Sequence, residues 1–126
     1  MDSQTLQRVT SDLMPLNSID GIDAVLVFGS QVTGDATELS DIDICVVAPE
    51  VRTLSEQASL MEKIWGCINT DVYDVRLFEA LPLSVQASVI DQHVAVMCRD
   101  LPGLFEYFYR FRREWEDVRG RQATAR

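Results

Sequence analysis

Lysine is all but missing from this chain: Lys63 stands alone beside ten arginines. An acidic, lysine-poor composition of this kind suits a salty cytoplasm or a GC-rich genome. Histidine occurs once, as His93, between a helical stretch and an edge-strand pattern, where capping or a surface role outweighs catalysis. The three cysteines, Cys45, Cys67 and Cys98, are an odd number without Cys-x-x-Cys spacing. That argues against a metal or redox site and for buried reduced thiols, with Cys45 and Cys98 in apolar strand-like runs. No apolar run approaches the roughly 20 residues of a membrane span. The start, Met1-Asp2-Ser3-Gln4, lacks the basic and then apolar regions of a signal peptide. A cytoplasmic protein with no membrane partner is therefore expected. Repeats, low-complexity runs and Pro/Gly/Ser-rich linkers are also absent, which predicts a single domain over residues 1–126.

Positive charge is scarce as a whole: 11 basic residues face 20 acidic ones, for a net charge of −9. Chains that grip nucleic acid by its phosphates are usually basic, so direct nucleic-acid binding is not expected. What the chain does have is apolar content, at 47%, enough for one core.

Apolar periodicity orders that content. Leu6, Val9, Leu13 and Leu16 predict a first helix over about residues 3–16. A strand is expected over residues 22–28, a short helix from Gly29-Ser30 that Gly34 cuts off, and a second strand over 41–48 ended by Pro49. Thr53-Leu54-Ser55-Glu56 reads as a capping box opening a helix to about Cys67. A third strand over 72–79, a short helix over 82–91 and an edge strand over 94–98 follow. Leu104, Phe108, Phe111, Trp115 and Val118 mark a last helix over about 102–118. Tyr107, Tyr109 and Phe111 cannot all face one core from it, so part of this helix is a candidate dimer or partner surface. Alternating strands and helices make the fold class α/β.

Two short patterns carry chemistry. Gly29-Ser30 leaves the end of an apolar strand. Glycine lets backbone amides approach a bulky anion, and Ser30 adds a hydroxyl near a helix start. Alone, the pair is equally a plain turn with Ser30 as N-cap. Asp41 and Asp43 are two apart on the second strand and point to one face. Two carboxylates so placed repel unless a cation lies between them, and magnesium takes such oxygen ligands together with substrate phosphates. Asp74, mid-strand in Val72-Tyr73-Asp74-Val75-Arg76, is the expected third ligand, with Asp71 as fallback. Arg76 lies two residues on, as a structural partner of Asp74 or a triphosphate contact.

Gly29-Ser30, Asp41-Ile42-Asp43 and a later-strand Asp74 resemble the minimal nucleotidyltransferase (MNT) family of the polymerase β-like superfamily. Gly34-Asp35-Ala36 and Ser40 fit the same pattern, and so do Tyr73 to Leu83 and the C-terminal Glu106-Tyr107-Phe108-Tyr109 and Trp115-Glu116-Asp117, which resemble an archaeal branch. The resemblance implies a nucleotidyltransferase fold, a small mixed sheet flanked by helices. It implies Mg²⁺, expected as two ions, held by Asp41, Asp43 and Asp74, with ATP as substrate bound by Gly29, Ser30 and Arg76. It also implies a HEPN-domain toxin as partner, with the chain acting as antitoxin by transferring AMP to a toxin tyrosine. One departure stands out: Gln31, Thr33, Thr37 and Glu38 occupy the segment where relatives carry arginines. Two other functions compete, a binding-only antitoxin that blocks its partner sterically and a nucleotidyltransferase for small cationic molecules such as aminoglycosides. The absence of room for a second domain favours an acceptor that docks from outside.

Overall fold

A computed structural model describes residues 1–34 and 41–124. Among the described residues four strands form one mixed sheet in the order β3-β2-β1-β4. β1 (Ala24–Phe28) is antiparallel to both β2 (Ile42–Val47) and β4 (Val94–Cys98), and β3 (Tyr73–Leu77) runs parallel to β2. The parallel step requires a crossover, which α3 (Leu54–Trp65) supplies. Mixed strands between helices match the expected α/β class.

Side-chain alternation along the strands builds two cores, one on each face. On one face Val25, Val27, Ile44, Val46 and Val75 pack with Val9 and Leu13 of α1 (Ser3–Leu13) and with Leu60 and Ile64 of α3. On the other, Ala24, Leu26, Cys45 and Val47 pack under Val89 of α4 (Leu83–Asp91) and under Leu104 and Phe108 of α5 (Leu101–Thr124). Phe78 anchors that second core, with ring centroids 5.1 Å from Phe108 and 5.0 Å from Phe111. Asp43 shares this second face with Cys45 and Val47, at the end of β2 away from their core.

Most elements fall where the pattern places them, with boundary corrections that have physical causes. α1 stops at Leu13 rather than at residue 16, because Pro15 has no N–H to offer Ser11, and a 3-10 turn over Met14–Ser18 follows. β1 starts at Ala24, two residues late: the carbonyl of Ile22 accepts from Arg99 Nε (2.7 Å) instead of a sheet neighbour. β2 begins at Ile42, so Asp41 stands just before the strand rather than inside it. β3 ends at Leu77, where the chain tightens into a 3-10 turn over Phe78–Ala80. The capping box at Thr53 and Glu56 is formed with both hydrogen bonds, although its helix ends at Trp65 rather than Cys67. α5 runs six residues past the last periodic apolar residue, to Thr124. His93 caps as expected, its Nδ1 lying 2.8 Å from the carbonyl of Val89. All three cysteines are free thiols, but of the expected burial only Cys45 shows it in full: Cys98 is partly buried on the edge strand, and Cys67, past the end of α3, is exposed.

Candidate active site

β1 delivers Gly29 and Ser30 to the same end of the sheet from which β2 starts. Phe28 pairs with Asp43 in the antiparallel register, so the turn after β1 lies directly beside that carboxylate. Gly29 has φ +73°, a conformation that favours glycine. A Cβ there would stand 3.1 Å from Asp43 Cγ and would overlap Oδ2. Gly29 is therefore required twice, by its own backbone and by the carboxylate seated against it. It is also the N-cap of α2 (Ser30–Thr33), a single turn closed by Gly34 at φ +87°. Ser30 is thus the first helical residue and not the N-cap that the plain-turn alternative assigns to it.

The parallel register sets Asp43 opposite Asp74. Both are half-buried, and Asp41, two residues earlier, is exposed. Asp43 is pushed above the usual carboxylate range, first by burial and then by the charges of Asp74 and Asp41. Arg76 opposes that shift and pairs with Asp74 at 3.3 Å. Both partners of the pair are substantially exposed, so the pair is weak and exchangeable. Gly29, Ser30, Asp43, Asp74 and Arg76 thus meet at one sheet end, with Asp41 at its margin. Asp71 lies apart, in the turn before β3, its amide accepted by Asn69 Oδ1.

Asp43 and Asp74, opposite one another with one nearby guanidinium and Asp41 at the margin, offer hard oxygen donors of the kind a divalent cation takes. Among the described residues no three His, Cys, Asp or Glu side chains converge into a ready-made metal site. Asp35, Ala36, Thr37, Glu38 and Ser40 lie outside the described residues.

One polar cluster escapes sequence reading. Glu79, largely buried, accepts from the Ala48 amide (3.0 Å) and the Tyr107 hydroxyl (2.8 Å). Burial raises Glu79 above the ordinary carboxylate range, although both hydrogen bonds pull it back. The cluster ties α5 to the end of β2 that is remote from Asp43. Its partners are 31 and 28 residues from Glu79, so no local motif announces it.

Comparisons with known proteins bear on the family and the fold. The family model described as polymerase beta, nucleotidyltransferase, matches residues 15–101. A Methanocaldococcus jannaschii protein named as a candidate protein adenylyltransferase is 35% identical over 97 residues, 77% of this chain and 72% of that protein. A solved candidate minimal nucleotidyltransferase is 29% identical, with a TM-score of 0.51 over 75% of this chain and 95% of that one. A chain of a toxin–antitoxin crystal structure with AMP-PNP superposes with a TM-score of 0.69 at 16% identity, covering 95% and 94% of the two chains. A chain of the complex between tri-AMPylated Shewanella oneidensis HEPN toxin and MNT antitoxin gives 0.65 at 16%, with the same coverage. At that identity the last two speak for the fold.

Proposed function

The chain belongs to the polymerase beta nucleotidyltransferase family, and from that premise we propose that it transfers AMP from ATP to a hydroxyl of a partner protein. Nucleotidyl transfer follows from the family itself. The protein acceptor is supported by the adenylyltransferase name of the Methanocaldococcus jannaschii relative. The partner we propose is a HEPN-domain toxin modified on tyrosine, with this chain as its antitoxin and residues 1–126 acting as one minimal domain. The toxin–antitoxin complexes that share the fold support that assignment. The observation that carries the reading is Asp43 seated against Gly29 and opposite Asp74.

In this reading Asp41, Asp43 and Asp74 would hold Mg²⁺, expected as two ions. The metal supplies neutralisation of the developing phosphate charge. Gly29 offers its amide, and Ser30 its amide and hydroxyl, to the β- and γ-phosphates. Arg76 exchanges its weak pair with Asp74 for a phosphate oxygen. The acceptor oxygen then bonds to the α-phosphorus while the bond to the β-phosphate oxygen breaks. The acceptor proton passes to Asp74, and pyrophosphate leaves with the electron pair.

The test is label transfer from ATP tagged at the α-phosphate, with Mg²⁺ and host extract. Wild type is expected to label a protein band, and Asp41→Asn and Asp43→Asn to label none. Asp43→Asn should melt no lower than wild type, because it relieves a crowded, partly desolvated charge. Neutralisation of the toxin by folded aspartate variants would instead establish the binding-only antitoxin, a reading favoured by Phe105 and Tyr109, 56% and 60% exposed on α5.

A further inference from the structure

An apolar groove of about 500 Å³ follows the open edge of β3. One wall is α3, through Leu54, Ala58, Met61 and Trp65. The other is Leu77 at the end of β3 and Leu81 after the turn. The α3 residues fall at i, i+4, i+7 and i+11, the spacing by which one helix packs along another. Within this chain that stripe is not fully covered: Leu54 is 84% exposed and Trp65 52%. A leucine and a tryptophan turned to water on one face, three turns apart, mark an interaction surface rather than scattered surface residues.

Two observations say what covers it. The groove is continuous with the carboxylate site, because Arg76 lines it and also pairs with Asp74. An occupant of the groove therefore lies beside the residue that receives the acceptor proton. Charge gives the second: Glu62 offsets Arg76 on the groove lining, which leaves the field of a chain of net charge −9. That selects a basic partner over an acidic one.

We propose that this groove seats a helix of the acceptor protein, amphipathic, with an apolar stripe and basic flanks, and so presents the acceptor hydroxyl to Asp74. The proposal rests on the transfer reading above. It makes acceptor choice a property of α3 and the β3 edge, separate from the residues that hold ATP. An apolar stripe of three turns matches the reach of a helix-in-groove contact.

The experiment measures label transfer against concentration of the purified acceptor, identified by mass from the labelled band. Wild type is compared with Leu54→Glu, Ala58→Glu and, on the separate α5 surface, Phe105→Glu. Leu54 and Ala58 are exposed, so both groove variants should fold with an unchanged melting temperature. They are expected to raise the acceptor KM by about tenfold or more. Affinity for Mg-ATP, read by calorimetry, should stay at the wild-type value, and Phe105→Glu should leave the acceptor KM unchanged. Groove variants with a wild-type acceptor KM would overturn the proposal, as would a rise confined to Phe105→Glu. If wild type labels no protein, the transfer reading itself fails and the groove assignment falls with it.

Discussion

Gly29 carries more constraint than any other glycine near the carboxylates. Its positive φ and the Asp43 carboxylate against its α-carbon act independently, so Gly29→Ala suffers from both. The backbone strain costs on the order of 1–3 kcal/mol. The added methyl also drives Asp43 out of its place beside Asp74. Misplacement of a reacting group by about 1 Å costs about 100-fold in rate. Gly29→Ala is therefore expected to lower both melting temperature and label transfer, whereas Asp43→Asn lowers transfer alone. Parallel melting curves and transfer rates for the two variants separate these outcomes. At this scale the sequence shows which residue types occur and which share a face by strand parity. It does not show that Gly29 touches Asp43, because that contact depends on the β1–β2 register and on the turn after Phe28. The Arg76–Asp74 pair was legible, since a spacing of two on one strand puts both on one face.

Among the elements, α5 depends on a single buried carboxylate for part of its docking. Tyr107 sits on α5, Ala48 follows β2, and Glu79 in the intervening turn bonds to both. Because burial raises Glu79, its folded state holds the proton more tightly than the unfolded chain does. Its contribution to stability is thus fullest below the ordinary carboxylate range and is lost as pH rises through the raised value. The Tyr107 hydroxyl opposes that loss, because a donor favours the ionised form. Tyr107→Phe should therefore destabilise by about 1–2 kcal/mol at a pH well above the raised Glu79 value, where the carboxylate is ionised, and by less at a pH well below it. Denaturant unfolding of both proteins at the two pH values measures the difference. An equal cost at both would mean that the contribution of the Tyr107 hydroxyl does not depend on the charge of Glu79. The strands and the longer helices were readable from apolar periodicity, whereas the 3-10 turns over Met14–Ser18 and Phe78–Ala80 were not. Boundaries shifted where a non-local or proline effect took over, as at Pro15, at the Ile22 carbonyl and beyond Val118. The last turns of α5 carry no apolar period, so nothing in the pattern marked them as helical.

As a whole, the molecule separates its charges. Arg110, Arg112, Arg113 and Arg119 cluster along α5, and Arg112 pairs with Asp91 of α4, while the net charge remains −9. The excess of acid repels itself in the compact state, and its field extends over a Debye length of about 10 Å at 0.1 M salt. Screening should then act in opposite directions on two observables. Stability should rise as salt increases from about 10 mM to about 150 mM, because self-repulsion fades over that range. Docking of a basic acceptor helix should weaken over the same range, because the attraction that steers it fades too. The expected result is a melting temperature that climbs while the acceptor KM also climbs and the rate at saturating acceptor holds steady. Melting scans and transfer kinetics in sodium chloride series, at constant free Mg²⁺, read both quantities on one protein. An acceptor KM that stays flat while the melting temperature climbs would leave the groove apolar in its selection and take charge out of acceptor choice. A KM that falls with salt would mean an acidic acceptor, drawn to the arginines of α5 and away from the β3 edge.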